Sequence, residues 1–211
     1  MAQKKAFSGS EELVFENGIA DELHYFAYGS DMNNEQMLAR GVKPKLVGAA
    51  KLSDYRLAFF GYSAVWDGAE ETVVPAPGQE VWGVVFELSS SDRERLDDAQ
   101  DVRLDGTGAY FHFPVKVTDQ LGKVHTVLLF TKDKRGIPQK PSQEYLNFIV
   151  QGAVDHELPS AYVETLRRME SKKAEFVVPR GRKSLASGGN CSQCGDESGS
   201  TDTSIIKISL G

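Results

Sequence analysis

The chain has 211 residues, 40% of them hydrophobic, and a formal net charge of −6 at pH 7. This length and apolar content are enough for one domain with a proper core. The scattered Lys and Arg residues form no nucleic-acid footprint, and no stretch reaches the roughly 18 apolar residues that a membrane span needs, so we expect neither partner.

The first predicted element follows a leader. Residues 1–21 show no sustained periodicity and no apolar secretion signal, so we expect a disordered leader on a cytoplasmic protein. Apolar or alternating runs then predict strands at 23–28, 46–60, 72–75, 80–88, 109–117 and 124–131. Helical periodicity predicts helices at 33–40, 90–99, 142–154 and 160–170. Strands and helices do not alternate regularly, which favours an α+β fold for a domain at 22–179.

The C-terminal segment 180–211 is predicted to be a disordered tail, because its first part is rich in Gly, Ser, Asp and Thr. It carries both cysteines, Cys191 and Cys194. One such pair provides two of the four ligands of a structural zinc, and no His stands at a finger-like spacing. We therefore expect inert thiols, no metal and no cofactor.

One stretch between a strand and a helix is the most informative in the chain, namely Tyr25, Phe26, Ala27, Tyr28, Gly29 and Ser30. Polar residues then open the helix, and Asn33 with Gln36 has capping-box spacing. Backbone N–H groups at such a junction point outward with the positive end of the helix dipole, which favours a carboxylate or phosphate ligand. An ordinary tight turn is the alternative interpretation.

This stretch resembles the N-terminal signature of the γ-glutamylcyclotransferase-like family. Further segments resemble the family in the same order, at 52–59, 80–85, 96–97, 108–110, 141–145 and 158–162. Together the resemblance covers roughly residues 23–170. It implies a small mixed β-barrel flanked by helices, and it leaves a homodimer open.

The resemblance also implies a reaction. A γ-glutamylcyclotransferase releases 5-oxoproline, as in glutathione metabolism, when the α-amine of a γ-glutamyl amino acid, amine or peptide attacks its own γ-carbonyl. Well-oriented intramolecular attack reaches effective molarities of about 10⁵–10⁸ M. Two tasks remain for the protein: to anchor the α-carboxylate, and to deprotonate an ammonium whose ordinary pKa is about 7.7–8.0.

Substrate binding is implied for the turn residues already named, from Tyr25 to Ser30, and for Tyr145. Gly29 would let the substrate approach the backbone closely. Tyr145 would add a hydroxyl, although it also lies on the apolar face of its helix, where a structural role is the alternative. Phe130 stands where some relatives have a tyrosine, so that hydroxyl is missing here.

The predicted catalytic position departs from the family. The resemblance places a glutamate four residues after Leu96, where this chain has Gln100, which has no carboxylate to accept a proton. The next residue, Asp101, is the candidate base if the loop 101–107 is rebuilt around it. Two alternatives stay open: a silent binding or regulatory protein for γ-glutamyl ligands, or slow catalysis in which water or His112 takes the proton. We favour an enzyme.

Overall fold

Five strands of the computed structural model close into a barrel with the order β1-β3-β2-β4-β5. Their bounds are Leu23–Ala27, Lys45–Ser63, Gly68–Leu88, Phe111–Asp119 and Val124–Thr131 for β1 to β5. Between these five described strands, the β1–β5 pair is parallel, with Tyr25 opposite Leu128, and the other pairs are antiparallel. The sheet is therefore mixed, and the predicted α+β barrel is confirmed.

The structure describes residues 23–103, 105–133 and 135–180. The predicted leader at 1–21, the cysteine pair and all of the predicted tail beyond residue 180 lie outside the described residues.

Strand β3 is longer than predicted. The sequence gives two strands separated by Pro and Gly, whereas β3 runs through this segment without ending. The pairing register between β2 and β3 shifts here. Ser53 pairs with Glu80 and Tyr55 pairs with Pro75, so β3 has more residues than β2 between these two pairs. The intervening bulge is held by Asp54, whose carboxylate accepts the Gly78 N–H at 2.8 Å. Pro77 lies inside this bulge, where no ladder donor is needed, so the separation predicted from Pro and Gly was wrong.

In the part of the chain that the structure describes, four α-helices pack around the barrel, with bounds Asn34–Ala39, Ser90–Ala99, Gln143–Asp155 and Ser160–Arg167 for α1 to α4. The side chains of Asn33, Ser89 and Ser142 cap the first three by accepting a backbone N–H three residues later. Their positions confirm the helices predicted from periodicity. Among the described residues, no helix is long and apolar enough to cross a membrane.

Helix α3 lies directly against the turn that follows β1. A Cβ placed on Gly152 would lie 2.7 Å from the carbonyl carbon of Met32, so a side chain there would separate the two elements. On the same helix, Tyr145 and Ile149 are buried in the core. This contact brings the Tyr145 side chain to the strand-to-helix turn.

Candidate active site

The strand-to-helix turn lies where the sequence predicts it. Strand β1 ends at Ala27, and Gly29 precedes a short 3-10 helix at Ser30–Met32. Asn33 then begins α1, its side chain accepting the Gln36 N–H at 3.2 Å. Ser30 is only 1% exposed, so its polar groups need partners inside the protein.

A carboxylate of the chain itself lies in the predicted anion cradle. Glu71, on β3 and 6% exposed, accepts the Ser30 backbone N–H through Oε1 at 2.9 Å. The Tyr145 hydroxyl donates to Oε2 of the same carboxylate. It also lies 3.3 Å from Ser30 Oγ. Two predicted substrate-binding residues, Ser30 and Tyr145, therefore meet at Glu71.

Glycine at position 29 is required by this close approach and not by a positive φ. Its φ of −125° is open to any residue. A Cβ at this position, however, would lie 2.0 Å from Glu71 Oε1 and 2.4 Å from Cδ. Any side chain at residue 29 would have to displace the Glu71 carboxylate.

Burial dominates the electrostatic setting of Glu71. Burial raises the pKa of Glu71, while the hydrogen bonds from Tyr145 and the Ser30 N–H act in the opposite direction. Within the described part of the chain, no Lys, Arg or His forms an ion pair with this carboxylate. Burial, reinforced by the Glu71 charge, holds the pKa of Tyr145 well above its usual value, so Tyr145 stays a neutral donor.

Gln100 reaches the same turn from the end of α2, but it contacts a different carboxylate. Its Nε2 donates to Asp31 Oδ2 at 2.9 Å. Asp31 is buried and also binds the Arg40 guanidinium and the Tyr25 hydroxyl. Asp31 therefore has a cation beside it and three donors around it, unlike Glu71.

The structure does not bring Asp101 to this set of side chains. Its Oδ1 accepts from Arg103 Nε at 2.8 Å, its Oδ2 accepts the Ala109 N–H at 3.2 Å, and its side chain is 49% exposed. His112, the other side chain that the sequence offers as a proton acceptor, has its Nε2 2.6 Å from Oδ1 of Asp97 on α2. Both groups are engaged by neighbours away from Glu71.

The remaining predicted turn residues have different surroundings. Phe26 and Ala27 have no exposed surface and belong to the core. The Tyr28 hydroxyl donates to the Phe130 carbonyl. The Phe130 ring lies 5.2 Å from that of Tyr25, so the residue without a hydroxyl packs beside the turn.

Sequence reasoning missed Glu71, and with it the role of Tyr110, whose hydroxyl donates to the Glu71 carbonyl at 2.7 Å. Tyr110 also lines a cavity of about 360 Å³, together with Gly106, Gly108, Phe111 and Asp133. A signal did exist, because Glu70 and Glu71 are adjacent in β3 and successive side chains of a strand face opposite sides. One of two adjacent strand glutamates must therefore point inward.

A family model described as the AIG2-like family matches residues 80–166. The γ-glutamylcyclotransferase of Homo sapiens is 32% identical over 170 residues, which span 74% of this chain and 88% of that protein. The γ-glutamylcyclotransferase of Bos taurus is 30% identical over 186 residues, covering 82% of this chain and 95% of that protein.

Solved structures agree with these sequence matches. An uncharacterised protein from Homo sapiens superposes with a TM-score of 0.70 at 31% identity, covering 75% of this chain and 94% of that one. A structure named γ-glutamyl cyclotransferase superposes with a TM-score of 0.69 at 32% identity, covering 74% and 93%. In both cases the shared part includes most of the residues described here.

Proposed function

The chain belongs to the γ-glutamylcyclotransferase-like family and is an enzyme of the cyclotransferase type, and we propose that it releases 5-oxoproline from a γ-glutamyl amino acid, amine or peptide. The reaction would take place at the turn formed by Gly29 and Ser30. In it, the substrate's α-amine attacks its own γ-carbonyl and expels the amine that was attached there.

The observation that carries this proposal is the meeting of Ser30, Tyr145 and Glu71 beneath Gly29. It combines a backbone N–H at 2.9 Å, a neutral hydroxyl donor and a carboxylate in one buried place. Cyclisation needs hydrogen-bond donors for the developing charge on the γ-carbonyl oxygen and an acceptor for the α-ammonium protons. Groups of both kinds are present at this turn.

The experiment is a 5-oxoproline assay with three γ-glutamyl substrates, in which the leaving group is an amino acid, a simple amine or a peptide. The matched substrate control is the α-glutamyl isomer, whose γ-carbon carries no leaving amine. The proposal expects equal amounts of 5-oxoproline and free amine from at least one γ-glutamyl substrate, and none from its isomer.

Gln100 favours a second candidate, a protein that binds γ-glutamyl ligands without converting them. The Gln100 side chain has no carboxylate to act as a base, and its amide donates to Asp31. Under this second candidate, calorimetry would show γ-glutamyl ligands binding while the same assay releases no 5-oxoproline. That combination would contradict the proposed reaction.

A further inference from the structure

We propose that Glu71 is the general base of this chain and performs, from strand β3, the proton transfer for which Gln100 has no carboxylate. This inference rests on the proposed function and names the residue that makes the cyclisation possible. It replaces Asp101, whose carboxylate is turned to Arg103 and Ala109.

Position is the first argument. Among the described residues, Glu71 is the carboxylate that contacts both Ser30 and Tyr145, which approach from the turn after β1 and from α3. Because Gly29 has no Cβ, the Oε1 atom of Glu71 can lie directly beside the backbone of residue 29. A substrate held at this turn would have the Glu71 carboxylate within its immediate surroundings.

Charge is the second argument. The other buried carboxylate at the turn, Asp31, is paired with Arg40 and accepts from Tyr25 and Gln100. Glu71 accepts hydrogen bonds but has no cationic partner among the described residues. A substrate ammonium would be the first cation in direct contact with the Glu71 carboxylate, so binding would pair the two groups between which the proton must move.

Proton affinity agrees with this position. Burial raises the pKa of Glu71, and a base works best when its pKa lies near the working pH. The Tyr145 hydroxyl fixes the carboxylate in one orientation through Oε2. The hydroxyl remains a donor throughout because its own pKa is well above the usual value.

The proposed transfer balances without any further reactant. The α-nitrogen enters as an ammonium with three protons and keeps one in the lactam. Glu71 would accept the other two in turn and pass each to the leaving nitrogen. One C–N bond forms at the γ-carbon while the bond from that carbon to the leaving group breaks, and the amine departs as an ammonium ion.

An opposite role for Glu71 makes the hypothesis falsifiable. Its carboxylate accepts the Ser30 N–H, which a substrate carboxylate could otherwise use. If Glu71 merely fills that place, removing it should open the site and raise binding or turnover. If Glu71 is the base, removing it should lower turnover even though the site becomes roomier.

The test compares wild type with Glu71→Gln, using Glu80→Gln as the matched control. Glu80 is a glutamate of the same strand, bound to Lys51 and Trp82 on the exposed side. We expect Glu71→Gln to lower kcat by about 10²–10⁴-fold, the usual contribution of a placed base, and Glu80→Gln to leave it unchanged. Melting curves verify that each variant folds.

The pH dependence gives a readout that a structural role would not move. The assay is repeated at about pH 6 and about pH 9, on either side of an ordinary α-amino pKa of about 7.7–8.0. At the higher pH much of the substrate amine is already neutral, so the first of its two proton losses needs no base. The deficit of Glu71→Gln should therefore shrink there.

Chemical rescue provides a second variant. Glu71→Ala removes the carboxylate and leaves space beside Ser30, so added formate should restore part of the lost activity. If wild type is active and both Glu71 variants are at least as active, Glu71 is not the base, but the proposed reaction still stands. An inactive wild type would overturn the proposed function and this inference together.

Discussion

Gln100 donates its side-chain amide to Asp31, with 2.9 Å between Nε2 and Oδ2. The position at which the family resemblance implies a catalytic glutamate is therefore occupied by a donor that binds a buried carboxylate. This contact changes what the substitution Gln100→Glu should do. It would place two carboxylates against each other where a hydrogen bond now exists.

We expect Gln100→Glu to destabilise the fold at neutral pH by about 1.5–3 kcal/mol, because a hydrogen bond to a charged group is replaced by like-charge repulsion. The introduced carboxyl should have a raised pKa, so the loss should shrink as the pH falls. The matched control is Gln151→Glu, because Gln151 donates to Asp155 at 2.7 Å on an exposed helix face. There the cost should be about 0.2–0.5 kcal/mol. Denaturant unfolding at several pH values measures the stability of both variants. Equal losses of unfolding free energy would contradict a partly buried contact between Gln100 and Asp31.

The same variant also tests the base. Because Glu71 is the proposed acceptor, Gln100→Glu should not produce the gain of about 10²–10⁴-fold that a newly placed base would give. Asp101→Asn should keep the turnover of wild type, since its carboxylate faces Arg103 and the Ala109 N–H. A silent Asp101→Asn variant in the 5-oxoproline assay would return the role to that residue.

Gly29→Ala should lower both stability and turnover. The new methyl group would lie 2.0 Å from Glu71 Oε1, and overpacking of this kind costs about 1–3 kcal/mol. The double variant Gly29→Ala/Glu71→Ala removes the clash. Its loss of unfolding free energy should therefore be smaller than the sum of the losses of the two single variants. The double variant should still lack turnover. Strict additivity in a double-mutant cycle would show that the two residues do not touch.

Glu71 should make stability depend on pH. Its folded-state pKa is raised by burial, so its contribution is fully present below the unfolded pKa and is lost as the pH rises through the folded pKa. Glu71→Gln should therefore gain stability relative to wild type as the pH rises above the mildly acidic range. Glu80→Gln is a control whose stability should change with pH in the opposite direction, because hydrogen bonding from Lys51 lowers the pKa of Glu80. Melting temperatures across that pH range would contradict this account if both variants shifted in the same direction.

Tyr145→Phe should move the acid limb of the activity profile to higher pH. The Tyr145 hydroxyl lowers the pKa of Glu71 against the larger effect of burial, so its loss lets that pKa rise further. More of the carboxylate is then protonated at a given pH, and kcat/KM falls first on the acid side. The control Tyr62→Phe loses a comparable hydroxyl, which donates to Asp67 at 2.9 Å, and should leave the profile in place.

Much of the architecture follows from local patterns in the sequence. Ser89 directly precedes one predicted helix and Ser142 begins another, and both act as caps in the structure. The glycine between β1 and α1 likewise marks the turn. Such signals are short-range, so they need no knowledge of what packs against them.

The arrangement of the candidate site depends on contacts that are distant in the chain. Glu71 meets Ser30 across a separation of 41 residues and Tyr145 across 74. The strand predicted from the sequence begins at residue 72, so Glu71 falls outside it and its inward direction does not follow from the pattern. The start of β3 at Gly68, four residues before the predicted strand, together with the packing of α3 on the turn, places this carboxylate beside Gly29.

The most direct measurement is a crystal structure with a γ-glutamyl analogue whose γ-carbonyl is replaced by a methylene, so that it cannot cyclise. If Glu71 is the base, the α-amine nitrogen should lie at the turn of Gly29, about 2.6–3.2 Å from a carboxylate oxygen of Glu71, within reach for proton transfer. An analogue whose carboxylate takes the Ser30 N–H in place of Glu71, with its amine beyond reach of that side chain, would contradict that role.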